Sequence, residues 1–216
     1  MRQASPTRRR LKPEIRRERL LEAAASVFAE RGYEAARVEQ IAEAAEVSAG
    51  LLYRHFAGKH ELYAELVHRA DRELLRHLSE AAAPGPPSGR RLERGLDAVL
   101  AFVEGHRNLW RMLVRDVVDP EIAGLREESH RQAVAAVADL IRLDPELGRR
   151  QVSELEVERM AVLIVGSTST LAEWWIDHPE VERAELIATL MGVLWLGFER
   201  LRDGERYSID GDLTPS

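Results

Sequence analysis

Apolar residues recur at helical spacing along nearly the whole chain. Leu20, Leu21, Ala24, Ala25 and Phe28 make one stripe, which predicts a helix over 13–31. Pro13 and Glu14 suit its first turn, and Gly32 supplies the stop. Val38, Ile41, Ala42 and Ala45 share a face of a short second helix over 38–45. Ser48 is placed to cap a third over 48–56, and a longer one over 59–82 carries Leu62, Leu66, Leu74, Leu75 and Leu78. No helix crosses Pro84-Gly85-Pro86-Pro87-Ser88-Gly89, which reads as a hinge between an N-terminal unit and the rest. Two helices follow at 90–105 and 106–118, and Asp119-Pro120-Glu121 opens another over 120–142. After a loop at 143–152, Ser153 and Glu156 form a capping box for a helix to 177. The His178-Pro179 break ends it, and a last helix covers 181–202. Strand signals are almost absent. The expectation is an all-α chain of about nine helices, closed by a flexible tail at 205–216.

Composition narrows the chemistry. The chain has 216 residues, 45% hydrophobic and 31% charged, and no cysteine. Disulfides, thiolate catalysis and cysteine-rich metal sites are therefore excluded. No apolar run is long enough to span a bilayer and no secretory signal opens the chain, so a cytoplasmic protein without membrane contact is expected. The net charge of −6 conceals an asymmetry, because residues 1–60 hold twelve Lys and Arg against eight Asp and Glu. A basic arm on an acidic body fits contact with a polyanion as well as it fits a solvated tail.

The informative stretch is 38–67, VEQIAEAAEVSAGLLYRHFAGKHELYAELV. Two short helices joined by a tight turn and propped on a longer helix make a helix-turn-helix. The second helix has a small N-terminal end, Ser48-Ala49-Gly50, suited to close approach in a major groove about 12 Å wide. Leu52 and Phe56 fall on its inner side, Leu51 and Arg54 on its outer side, and Tyr53, His55 and Lys59 at the edges.

These residues resemble the DNA-binding domain of TetR-family transcriptional repressors. The resemblance rests on Ile41-Ala42, Ala45-Glu46-Val47-Ser48, Gly50, Tyr53, His55-Phe56, Lys59 and Leu62, with Ala23, Phe28, Gly32 and Tyr33 before them. It covers about residues 13–67; the remainder matches only in the number, length and order of helices. Two positions depart from the pattern. Val38 stands where a capping, phosphate-touching Thr is usual, which shifts that role to Arg37 or Gln40. Glu46 stands where the turn usually has Gly, and a positive φ there costs a non-Gly residue roughly 1 kcal/mol or more.

The resemblance implies roles. Tyr53, His55 and Lys59 would contact phosphates, with Lys59 at a helix start whose free N–H groups favour an anion. Arg54 is the candidate for a base contact, since Arg reads guanine bidentately, and equally for a phosphate. Ala49 or Leu51 would meet a thymine methyl. Arg8, Arg9 and Arg10 would enter the minor groove or lie along phosphates. The resemblance further implies residues 1–58 as the arm and DNA-binding domain, 59–83 as a connecting helix, and 90–204 as a ligand-binding and dimerisation domain.

Segment 160–175 is apolar on nearly every face, so it needs cover from its own core and from elsewhere. The resemblance implies that the last two helices, 153–177 and 181–202, pair with their copies in a homodimer, with Gly166, Ser169, Leu190, Leu194 and Phe198 at the interface. An effector pocket, implied by resemblance only, would draw on Phe102, Trp110, Met112, Leu113, Trp174 and Trp175, for a largely apolar small molecule. Glu173, Asp177 and His178 read as a solvated helix end rather than a metal site. No phosphate loop, G-x-S-x-G elbow or H-E-x-x-H occurs, so neither an enzyme nor a cofactor is expected. The leading reading is a dimeric, ligand-responsive repressor on a pseudo-palindromic operator in double-stranded DNA. The alternatives are an activator or architectural protein without small-molecule input, and an all-α ligand-binding protein with a vestigial motif.

Overall fold

The computed structural model describes residues 13–81, 87–115, 117–144, 152–197, 205–207 and 213–215. These contain nine α-helices. They are α1 (Pro13–Ala35), α2 (Val38–Ala44), α3 (Ala49–Tyr53), α4 (Lys59–Ala81) and α5 (Ser88–Gly105). Then come α6 (Arg107–Val114), α7 (Pro120–Arg142), α8 (Glu154–Ile176) and α9 (Arg183–Leu190). The last runs on into π-helical residues Met191–Trp195.

Local chemistry sets most boundaries. Asp119 caps α7 by accepting from the N–H groups of Glu121 and Ile122, with Pro120 in the first turn. Ser153 and Glu156 form the capping box of α8. The stop expected at Gly32 is a break: its φ of 78° interrupts α1, which resumes to Ala35. α5 starts at Ser88 on Pro87, inside the stretch expected to be a hinge. Residues 205–216, expected as a frayed tail, instead include an antiparallel pair, Glu205–Tyr207 (β1) with Leu213–Pro215 (β2).

The core of the N-terminal head is made by Leu20, Leu21, Ala24 and Phe28 of α1 with Ile41, Leu52, Phe56 and Leu62. Tyr63 packs edge to face on Phe28 and Tyr33 with centroids 5.3 and 5.4 Å apart, and Phe28 and Tyr33 lie tilted at 5.8 Å. The same cluster continues through Leu66 and Ala70 of α4 into Leu96, Trp110, Ile122, Ile164 and Leu194, so the head and the body share one core. In the turn of the head, Glu46 has φ 56°, the one positive φ outside glycine among the described residues. Glu46→Gly is expected to raise stability by about 1 kcal/mol, measured by urea unfolding, because only the side chain makes that conformation costly.

Candidate nucleic-acid interface and cavity

α3 is five residues long and stands on two buried anchors, Leu52 and Phe56. Ser48 Oγ accepts from the Leu51 N–H at 3.2 Å and fixes its start. Gly50, Tyr53 and Arg54 are exposed, Tyr53 by 52%, while Ala49, Leu51 and His55 are half-buried. A Cβ added at Gly50 would meet nothing within 4 Å, so its smallness serves no internal packing and leaves room for an outside partner. Gln40 Oε1 accepts from the Arg37 N–H at 3.0 Å, which uses Gln40 as the cap of α2 and leaves the exposed Arg37 as the cation there. Arg8, Arg9 and Arg10 lie outside the described residues.

Lys59 is placed differently from the expectation. Its ammonium donates to the carbonyls of Tyr33, Glu34 and Ala36 at 2.9, 3.2 and 3.5 Å, and it sits 4.4 Å from the centre of the Tyr33 ring. An ammonium has three N–H groups, and the end of α1 takes all of them. Just before α4, Glu61 Oε2 accepts from the Ala57 N–H at 2.5 Å. Lys59 therefore holds α1 against α4, and Tyr53, Arg54, His55 and Arg37 remain at the surface. Nothing in the sequence marks which carbonyls a lysine will meet.

A second clamp fixes the head to the body. Arg115 Nη1 donates to the carbonyls of Ala29 and Glu30 at 2.7 and 3.1 Å. Glu34 Oε1 accepts from the N–H groups of Val118 and Asp119 at 2.6 and 3.2 Å, and chiefly the Val118 bond holds its carboxyl below the usual range. Tyr63 donates to the Met112 carbonyl at 3.2 Å, and burial pushes its phenol up to about 12. Arg126 donates to the carbonyl of Arg115.

Behind this clamp lies a cavity of about 610 Å³ between α4, α5, α6, α7 and α8. Its wall is mostly apolar, including Leu74, Leu78, Leu92, Leu96, Trp110, Leu113, Val137, Leu140, Met160 and Ile164. Charged wall residues are Asp71, Arg91, Arg126, Glu127, Asp144 and Glu173; Asp71 accepts from the Ser129 hydroxyl at 2.5 Å, and burial raises the Asp71 carboxyl. Trp110 Nε1 and Thr168 Oγ1 are buried with no hydrogen-bond partner among the described residues.

The aromatic residues expected around a pocket divide. Trp110 and Leu113 are on the wall. Phe102 is instead buried and stacked on His106, and Met112 lies on the opposite side of α6. Trp175 is buried with its Nε1 donating to the Val181 carbonyl at 2.7 Å, and the exposed Trp174 stacks on His178. The wall instead draws on aliphatic stripes of α4 and α7, where size and aromaticity give no signal. Among the described residues no three His, Asp or Glu side chains are grouped to hold a metal, and no helix is long and apolar enough to cross a membrane.

Two apolar stripes run along α8. Val157, Ala161, Ile164, Thr168, Ala172 and Trp175 are buried in the chain's own core. Leu155, Val162, Leu163 and Trp174 form a second stripe on the surface, and Val193 and Leu196 after α9 are also exposed. Of the residues expected between copies, Leu190 and Leu194 are instead core, since their side of the helix packs on α5. Ser169 is on the cavity wall, Gly166 is half-buried, and Phe198 lies outside the described residues.

Comparison with known proteins places these features in context. Residues 20–66 match the family model for bacterial regulatory proteins of the tetR family, and 88–197 match that for a tetracyclin repressor-like C-terminal domain. The HTH-type transcriptional activator FasR of Mycolicibacterium smegmatis is 29% identical over 198 residues, covering 89% of this chain and 87% of that protein. A TetR-like transcriptional regulator from Rhodococcus sp. RHA1 superposes with TM-score 0.73 at 27% identity, over 88% of this chain and 99% of that one. The regulator FadR from Bacillus subtilis in complex with stearoyl-CoA superposes with TM-score 0.68 at 20% identity, over 83% and 96% of the two chains.

Proposed function

Because this chain belongs to the TetR family of bacterial transcriptional regulators, we propose that it binds a pseudo-palindromic operator as a homodimer and releases it when an effector fills the cavity. The observation that carries the reading is the outer face of α3, where Tyr53 and Arg54 project from a helix anchored by Leu52 and Phe56. One such helix makes few contacts. Two copies about 34–36 Å apart would enter successive major grooves on one side of B-DNA. The surface stripe of α8, with Val193 and Leu196, is the apolar area a second copy would cover.

The cavity supports the effector half of the proposal. Its size and mostly apolar wall suit a small molecule with a long or bulky apolar body. The relative solved with stearoyl-CoA is a precedent for a ligand of that character in this fold. Effector binding would favour a state with the wrong separation of the two α3 helices, with a coupling typically worth about 1–3 kcal/mol. Release of a bound operator makes repression the leading sense. The relative named as an activator keeps the opposite sense as a second reading, and a footprint upstream of the promoter rather than across it would favour activation.

Titration with salt of binding to the DNA flanking the chain's own gene tests the DNA half. Affinity is expected to fall linearly on logarithmic axes, with a slope of about −0.9 per phosphate contacted. Tyr53→Phe and His55→Ala are expected to weaken binding to every sequence alike. Arg54→Ala is expected to relax preference at one base by about 1–3 kcal/mol. Binding that ignores both salt and these changes would remove α3 from the interface.

A further inference from the structure

The charged groups of the cavity wall are already engaged or stand in water. Arg126 donates to the carbonyl of Arg115. Arg91 donates to the Ser88 hydroxyl at 3.0 Å and to the Leu143 carbonyl at 3.5 Å. Asp71 accepts from the Ser129 hydroxyl, and the buried Asp144 has a partner as well. Glu127, His130 and Glu173 are exposed where the wall reaches the surface. The unpaired groups are neutral. Among the described residues two buried side-chain polar atoms have no hydrogen-bond partner, Trp110 Nε1 and Thr168 Oγ1, and both residues line this cavity. Trp110 is 7% exposed and Thr168 5%, so both are closed to bulk water.

The two groups come from α6 and α8, which pack on each other. An indole N–H can only donate, and a hydroxyl can donate as well as accept. A buried polar group that has lost water without gaining a partner is costly, and such groups are rare in folded proteins. Resting on the reading that this cavity takes the effector, we infer that the effector is an uncharged apolar molecule carrying an oxygen acceptor of the ketone kind. That oxygen takes the Trp110 N–H, with the Thr168 hydroxyl as a second donor. A carbonyl oxygen has two lone pairs, enough for both. Charge on the effector is disfavoured for a related reason. An ion entering the cavity gives up its water, and the buried charges it meets there already have partners.

Four probes with one tricyclic body and different substituents separate the possibilities: fluorene, 9-fluorenone, fluorene-9-carboxylate and 9-aminofluorene. Each is titrated against the full chain by displacement of the fluorescent reporter N-phenyl-1-naphthylamine. 9-Fluorenone is expected to bind about tenfold more tightly than fluorene, and more tightly than either ion. Trp110→Phe is expected to erase the margin over fluorene while fluorene itself changes by less than about twofold. Thr168→Val is expected to narrow the margin to about threefold without lowering the unfolding midpoint of the ligand-free chain. Equal affinity for fluorene and 9-fluorenone, or tighter binding of either ion, would overturn the inference while leaving the cavity as the effector site. A loss shared equally by both neutral probes in Trp110→Phe would mean that the indole only packs, and a lowered midpoint in Thr168→Val that water already pairs the hydroxyl; either overturns that residue's part. Reporter binding that is absent, or indifferent to a Val137→Trp change in the apolar wall, would overturn the cavity reading and this inference together.

Discussion

For the proposed homodimer, replacing Leu163 and Leu196 together by aspartate is expected to leave monomers and to lower operator affinity by at least about a hundredfold. Both side chains are on the surface, 59% and 56% exposed, so the substitution leaves the buried stripe of α8 and the core around Leu194 in place. Far-ultraviolet circular dichroism and the unfolding midpoint are accordingly expected to change little. Two carboxylates on the contact face must lose water when copies meet, and without partners that cost exceeds what a surface of this kind returns. A monomer presents one α3, and half the contacts mean roughly half the binding free energy. Sedimentation and gel-shift measurements on the same samples check both parts. A variant that remains dimeric and binds fully would mean the copies meet elsewhere.

Leu52→Ala is expected to cost about 2–5 kcal/mol of stability and to abolish specific DNA binding even where the chain stays folded. Five residues cannot hold a helix by propensity, since nucleation alone is unfavourable at that length. α3 exists because Leu52 and Phe56 fill the hollow formed by α1 and α2. Removing Leu52 leaves a cavity beneath the helix and frees the orientation of Tyr53 and Arg54. Urea unfolding gives the first effect and a gel shift below the unfolding transition gives the second. Unchanged binding by a destabilised but folded variant would mean that the placement of α3 does not govern recognition.

The helix-turn-helix was legible because its constraints are local. Small residues before α3, an apolar pair four apart and a Ser cap are all fixed by spacing within one short segment. Helix starts at Ser153 and Asp119 were legible for the same reason. What sequence could not supply was the phase of a helix relative to distant partners. Leu190 and Leu194 are as apolar as Val193 and Leu196, yet one pair is core and the other is surface, and only packing on α5 decides between them. Lys59 shows the limit for charge, since the carbonyls that hold it lie more than twenty residues earlier in the chain. The cavity wall was the least legible part, because Leu74, Val137 and Leu140 look like ordinary core until the space between their helices is seen to be open.

Selection of bound DNA from a random pool by the purified full chain tests most directly the claim that two copies of α3 read one site. The account predicts an inverted repeat whose half-sites lie about one helical turn, or a multiple of it, apart, with Arg54→Ala losing preference at symmetry-related bases in both halves. Recovery of a lone half-site, or of no consensus at all, would contradict it.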